Sequence, residues 1–436
     1  MPGVFESLQA EIETIQPTRA VGRVAESSRG TFLVRGLAEA ALGDRVAAET
    51  GAGPLGGEIV QMSSRGAIVL PEDDPEGLGI NARVELIGPV TLAPDRSWLG
   101  RIVDPLGRPL DGRPLLPGTE RTSMNAPPPA PADRRPLGER LSTGVAVFDT
   151  LLPLVRGQRI GLFAGSGVGK SSLLAKFARG VAADVVVIGL VGERGRELRD
   201  FTDRVLGPAG MARSVVVTAT SDQSPLMRRR CALSAMTVAE HFRNQGLHVL
   251  LLLDSVTRFA EAHREVALAS GEKASLRGYP PSVSHAIMAL AERAGPGAGE
   301  TGDITAVFTV LVAGSDMEEP VADIVRGTLD GHVVLDRKIA ERGRYPAIDL
   351  LRSVSRSLPE AASSAENGLI ADARRVLSAY DRAEMMIQAG LYVSGSDHAI
   401  DRSIRLFPVL DGFLAEDAPA GGPEASFVRL RACLGA

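Results

Sequence analysis

The sequence predicts an α/β central domain flanked by a small N-terminal β-barrel and a C-terminal helical domain, and three observations carry that prediction. Residues 18–91 break into short apolar runs ("AVGRVAE", "TFLVRG", "GAIVLPEDD", "ARVELIG") cut by glycine and acid-rich turns. That is the texture of short strands closed into a barrel or stacked as a sandwich. Residues 137–358 alternate nearly continuous apolar strands ("QRIGLFA", "DVVVIGLVG", "SVVVTAT", "HVLLLLD") with helices at 170–180, 197–206 and 228–244. Strands that are apolar on both faces belong to a parallel sheet covered by helices on either side. From 359 to 436 the chain reads as helical, with Leu369, Val376, Leu377 and Tyr380 on one face and "DHAIDRSIRLFPVLDGFL" as a second amphipathic stretch.

The remaining segments join these parts. Phe5, Leu8, Ile12 and Ile15 fall at helical spacing within residues 1–17, one apolar stripe on a short helix. Such a stripe either packs on its own domain or docks a partner. Residues 92–136, with "DPLGRPLDGRPLLPG" and "NAPPPAPADRRP", are rich in proline and glycine and read as an extended connector.

Composition narrows the class. A length of 436 residues exceeds one compact core and suits two or three domains. A formal net charge of −5 argues against a chain whose main role is coating nucleic acid. Cys231 and Cys433 make neither a disulfide framework nor a zinc site, which points to a reducing compartment. The N-terminus lacks the basic and apolar regions of a secretory signal, and the longest aliphatic run, "VLLLL", is far too short to span a membrane. The expectation is a cytoplasmic protein.

The strand "GLFA" runs directly into "GSGVGKSSLL". Set against G-x-x-x-x-G-K-[ST], the segment reads Ala164, Gly165, Ser166, Gly167, Val168, Gly169, Lys170 and Ser171, followed by Ser172. Alanine in the first place departs from the strict form. The glycines let backbone N–H groups turn inward, and the following helix adds its N-terminal dipole toward phosphates. Lys170 would reach the β- and γ-phosphates of a nucleotide such as ATP, and the Ser171 hydroxyl would bind Mg2+. Asp254 closes the strand "HVLLLLD", where a carboxylate is costly unless it serves a metal. Glu193 ends another buried strand, where open α/β sheets place their ligands; spacing alone leaves it as either a water-orienting group or a surface glutamate opening a helix.

The segments "RLSTGVAVFDTLLPLVRGQRIGLFAGSGVGKSSLL" and "GERGRE" resemble the catalytic subunits of rotary ATP synthases and their secretion relatives. The resemblance implies a P-loop (RecA-like) fold for the central domain. It implies that Glu193 activates the attacking water and that Arg194 organises the site. It implies that Arg356, at the end of "RYPAIDLLRSVSR", is an arginine finger reaching a neighbouring subunit, and that Tyr345 stacks on adenine. Three further stretches resemble the type III protein export ATPases: "RGYPPSVSHAIMALAERAG" (with Ser284 in place of their phenylalanine), "EEPVADIVRGTLDGHVVLDRKIAERGRYPAID" and "YVSGSDHAIDRSI". The overall likeness is to flagellar members more than to virulence-system ones.

That family implies a homo-oligomer, a hexamer, with ATP and Mg2+ between subunits. It implies a stator-like regulator dimer bound through residues 1–17, and contacts with export chaperones, substrates and a gate at the membrane, where the cytoplasmic enzyme would associate peripherally. Gly278 to Val283 would face a central channel. The alternatives are a virulence-system type III secretion ATPase, the catalytic subunit of an ion-pumping rotary ATPase and, from another class, an RNA-translocating hexameric helicase. The helicase would need a basic, aromatic barrel, whereas residues 18–90 hold Phe32 alone and the acidic "PEDDPEG"; no nucleic-acid partner is expected.

Overall fold

The computed structural model describes residues 4–13, 18–28, 30–275, 278–312 and 317–435. Six strands close into an antiparallel barrel in the order Val21–Ser27, Phe32–Arg35, Gly66–Pro71, Gly53–Ser63, Arg45–Thr50 and Arg83–Gly88. Val24, Val34, Val46, Ile59, Val69 and Val84 fill its interior, the inward half of each alternating strand. Phe32 is 1% exposed among them, so it presents no face on which a base could stack.

The central domain is an eight-stranded sheet ordered Arg101–Val103, Ser214–Thr220, Val185–Glu193, Val249–Asp254, Ile304–Leu311, Arg159–Ala164, Gly331–Leu335 and Ile348–Ser355. All neighbours are parallel except the last, which runs antiparallel at the edge. Helix Lys170–Gly180 and the C-terminal helices cover one face; Pro225–Asn244, Val256–Ala269 and Ser282–Arg293 cover the other. Helix Pro225–Asn244 starts three residues earlier than the apolar pattern predicts, because the Ser224 side chain accepts from Met227 N and proline occupies the first turn.

Residues 92–136 carry more structure than a connector. Arg101–Val103 pairs in parallel with Val215–Val217 as the outer strand of the sheet, and Trp98 is buried beside it. The Arg101 guanidinium is held by both oxygens of Asp111, at 2.6 and 2.8 Å, which keeps that carboxyl well below its usual range. A three-residue strand inside a proline-rich run is too short to leave a periodic signal.

A chain of charges joins barrel to sheet. Arg230, on helix Pro225–Asn244, donates to Glu58 Oε2 at 2.9 Å and also to Glu72, while Arg45 reaches Glu72 Oε1 at 2.7 Å and Arg229 pairs with Glu58. The Arg230 side chain is 2% exposed. Leaving one member of a buried network of this kind unpaired costs about 3–5 kcal/mol, so the two domains are held in one orientation.

Helix Val4–Glu13 leaves Phe5 and Ile12 largely exposed; Ile15 lies outside the described residues. Helices Ser364–Gln388, His398–Phe413 and Gly422–Leu434 form the C-terminal domain. Val376 and Leu377 are buried, and Tyr380 stacks on Phe407 with ring centroids 3.7 Å apart. No helix among the described residues is long and apolar enough to cross a membrane.

Candidate active site

The site is assembled at one end of four neighbouring parallel strands, Val185–Glu193, Val249–Asp254, Ile304–Leu311 and Arg159–Ala164. Strand Arg159–Ala164 delivers the loop Gly165–Gly169, and helix Lys170–Gly180 begins at Lys170. Gly167 and Gly169 have φ of 78° and 86°, the left-handed region that side-chain-bearing residues rarely adopt. A Cβ at Gly169 would sit 2.9 Å from the Tyr345 ring; glycine there lets the aromatic lie against the loop. Val168 is buried and anchors the loop, while Ser166, Ser171 and Ser172 are exposed.

Lys170 Nζ donates to Asp254 Oδ1 at 2.5 Å and stands 3.9 Å from Glu193 Oε1. Asp254 is 4% exposed and is satisfied by this lysine and by the hydroxyl of Thr309, at 2.7 Å. Glu193 reaches the same corner by a bulge: Val191 pairs with Ala219, but Glu193 pairs with Thr220, the register slipping at Gly192 with φ of 70°. Bulges of this kind re-aim a side chain at a strand end. Burial, then the negative charge of Asp254, pushes the Glu193 carboxyl up to about 7, with Lys170 pulling the other way.

The geometry therefore brings together Lys170, Glu193 and Asp254, with Ser171 at the helix N-terminus and Tyr345 along the rim. Arg194 points elsewhere: its side chain is 80% exposed and pairs with Glu197 at 3.4 Å. Arg356 is also exposed and sits at the other end of the sheet. Its strand is antiparallel, so Ile348 lies beside Leu335 while Ser355 lies beside Gly331, and Arg356 N donates to Asp330 O. Ala164, which leads into the loop, pairs with Leu335. Residues 330 and 335 are separated by about 16 Å of strand, at ~3.3 Å per residue, more than an arginine side chain spans.

Three participants left little trace in the sequence. Thr309 is one of two threonines in the apolar strand "ITAVFTVL"; Gly192 is a glycine before the acid; and Arg258, in the first turn of helix Val256–Ala269, has its pKa raised first by its hydrogen bond to Glu261 and then, more weakly, by the nearby charge of Glu193.

Hard oxygen donors with few carboxylates suit Mg2+, which keeps several waters and relies on substrate phosphates. The Ser171 hydroxyl and the Asp254 carboxylate fit that pattern. Among the described residues no group of three or more His, Cys, Asp or Glu could hold a metal by itself.

Residues 144–355 match the model of the ATP synthase alpha/beta family nucleotide-binding domain, and residues 362–420 that of the T3SS EscN ATPase C-terminal domain. The flagellum-specific ATP synthase of Caulobacter vibrioides is 45% identical over 95% of this chain and 95% of its own length. That of Salmonella typhimurium is 41% identical over 94% and 93%. The type 3 secretion system ATPase of Xanthomonas euvesicatoria is 41% identical over 95% and 94%. The assembled ATPase EscN of the enteropathogenic E. coli type III secretion system superimposes with a TM-score of 0.88, at 34% identity, covering 95% of this chain and 100% of that one; its complex with the central stalk EscO gives 0.86. With its P-loop corner and this full-length likeness, the chain belongs to the family of flagellum-specific ATP synthases and type III secretion ATPases.

Proposed function

We propose that this chain hydrolyses Mg-ATP in a homohexamer and so energises type III protein export, of flagellar components in the first place. The observation that carries the ATPase reading is the convergence of Lys170, Asp254 and Glu193 within one corner of the sheet, with separations of 2.5 and 3.9 Å. Lys170 leaves Asp254 for the β- and γ-phosphates when nucleotide enters, while the loop N–H groups and the helix N-terminus cradle the rest. The Tyr345 ring, beside Gly169, supports the base. The bound Mg2+ would supply positive charge to offset that developing on the phosphate oxygens. Ser171 and Asp254 would hold that ion, Asp254 through intervening water. Glu193, as carboxylate, accepts a hydrogen bond from the attacking water and aligns it with the γ-phosphorus. Arg356 completes the site of the next subunit.

The flagellar and export assignments rest on the likeness to the flagellum-specific synthases and to EscN. Substrates with their chaperones, a membrane-bound export gate at the cytoplasmic face and a central-stalk partner, as EscN has in EscO, belong to the same reading. Helix Val4–Glu13 docks the stator-like regulator through the exposed Phe5, Leu8 and Ile12. Deleting residues 1–13 is expected to abolish capture of that regulator in a pull-down while leaving the ATPase rate of the chain alone unchanged; retained capture would return the stripe to an intramolecular role.

Because each site borrows a residue from its neighbour, steady-state ATPase activity per chain should rise with protein concentration and reach a plateau once assembly is complete. Activity per chain that stays constant down to concentrations at which light scattering finds only monomer would sink the shared-site reading. Absence of activity at every concentration, despite tight ATP binding, would move the chain toward a subunit that requires a different partner.

A further inference from the structure

Asp254 Oδ1 accepts two hydrogen bonds, from Lys170 Nζ at 2.5 Å and from Thr309 Oγ1 at 2.7 Å. Among the described residues Oδ2 has no hydrogen-bond donor. Thr309 is fully buried on Ile304–Leu311, the strand wedged between the one that feeds the phosphate loop and the one that ends at Asp254. It lies beside Leu162 on one side, and Phe308 pairs with Leu253 on the other. Its β-branched side chain is restricted at χ1, and a buried hydroxyl proton without an acceptor is costly. The two groups therefore fix each other.

The two donors on Oδ1 differ in what nucleotide does to them. Lys170 is the residue that turns to the phosphates, and its departure would leave a buried carboxylate free to rotate unless something else held it. We propose that Thr309 is a positioning residue for the divalent cation: it pins Oδ1 throughout the cycle, keeping Oδ2 available to the waters of the metal. The inference rests on the reading above that Asp254 serves Mg2+.

The test is the binding of a fluorescent ADP analogue to the full-length chain, titrated with MgCl2 and repeated in EDTA. In Thr309→Val the hydroxyl is replaced by a methyl group of similar size. The Mg2+ concentration at half-effect should rise about 10–100-fold, the range for loss of an outer-shell partner, while affinity in EDTA stays within about twofold of the parent. Thr309→Ser, which keeps the donor, should restore the Mg2+ midpoint to within a few-fold. An unchanged midpoint in Thr309→Val, or an equal loss of affinity with and without Mg2+, overturns the proposal. Should the valine variant not fold, Thr309→Cys, a weak donor of similar volume, is judged by the same criterion. Asp254→Asn separates the two levels. If it leaves the Mg2+ midpoint unmoved, the assignment of Asp254 itself fails; if it moves the midpoint and Thr309→Val does not, only the role of Thr309 fails.

Discussion

Chains carrying Arg356→Ala should bind Mg-ATP as the parent does and hydrolyse it about 10³–10⁵-fold more slowly, the loss expected when an arginine no longer meets the transferring phosphoryl group. Among the described residues its side chain makes one hydrogen bond, a long one to Arg326 O at 3.4 Å, and is exposed, so truncating it should leave the unfolding temperature within a degree or two. The informative form of the experiment mixes these chains with chains carrying Glu193→Gln. An interface whose nucleotide pocket comes from the first and whose finger comes from the second contains both intact groups. With equal amounts and random assembly, about a quarter of interfaces have that composition, and turnover should recover in proportion. Two mutants that co-assemble, as seen by fluorescence transfer between labels, yet show no recovery would place both groups in one chain's site. That outcome conflicts with the antiparallel strand that carries Arg356 away from its own loop.

Glu193→Gln should lower kcat about 10²–10⁴-fold, the usual contribution of a positioned acid–base group, with nucleotide affinity preserved. The pH dependence identifies the same group in the unmutated chain. The carboxyl titrates near 7 in the folded protein, and only its ionised form carries the negative charge that polarises the attacking water, so kcat/KM should fall about tenfold per pH unit below that value. The stability effect has the opposite sense. The folded chain holds this proton more tightly than the unfolded chain, where the value is the ordinary 4.5. The stability it lends is complete below 4.5 and is lost as pH rises through about 7. Glutamine does not undergo that loss, so at pH 8 the variant should melt no lower than the parent. A variant that is both inactive and destabilised at pH 8 would assign Glu193 to folding instead.

The parts of the site legible in the sequence were those whose chemistry demands a particular residue at a particular backbone position. Glycines at 167 and 169 answer to positive φ, and an acid closing an otherwise apolar strand has few structural uses. Lys170 and Asp254 stood out on those grounds, whereas the role of Glu193 needed the resemblance because its strand-end position admits two readings. Thr309 was hidden because threonine is an ordinary strand residue, and nothing local distinguishes a hydroxyl facing a carboxylate from one facing the backbone. Arg229 and Arg230 were hidden for a related reason. A run of arginines at the start of a helix reads as a solvated face, and only the closed barrel supplies the Glu58 and Glu72 that cover it. The barrel, sheet and C-terminal helices followed from hydrophobic period, while the outer strand Arg101–Val103 did not, being three residues long amid prolines.

The reversed edge strand also has a counting consequence. If Arg356 serves a neighbour's site as proposed, a chain with its loop at one end of the sheet and that arginine at the other is a head-to-tail unit. An open string of n such units contains n − 1 completed sites, while the same n units closed into a ring contain n. The final closure creates a working site without recruiting another copy, so the ring gains output at the step where it stops growing. Any partner that favours closure over further elongation acts as an activator without touching a single catalytic group.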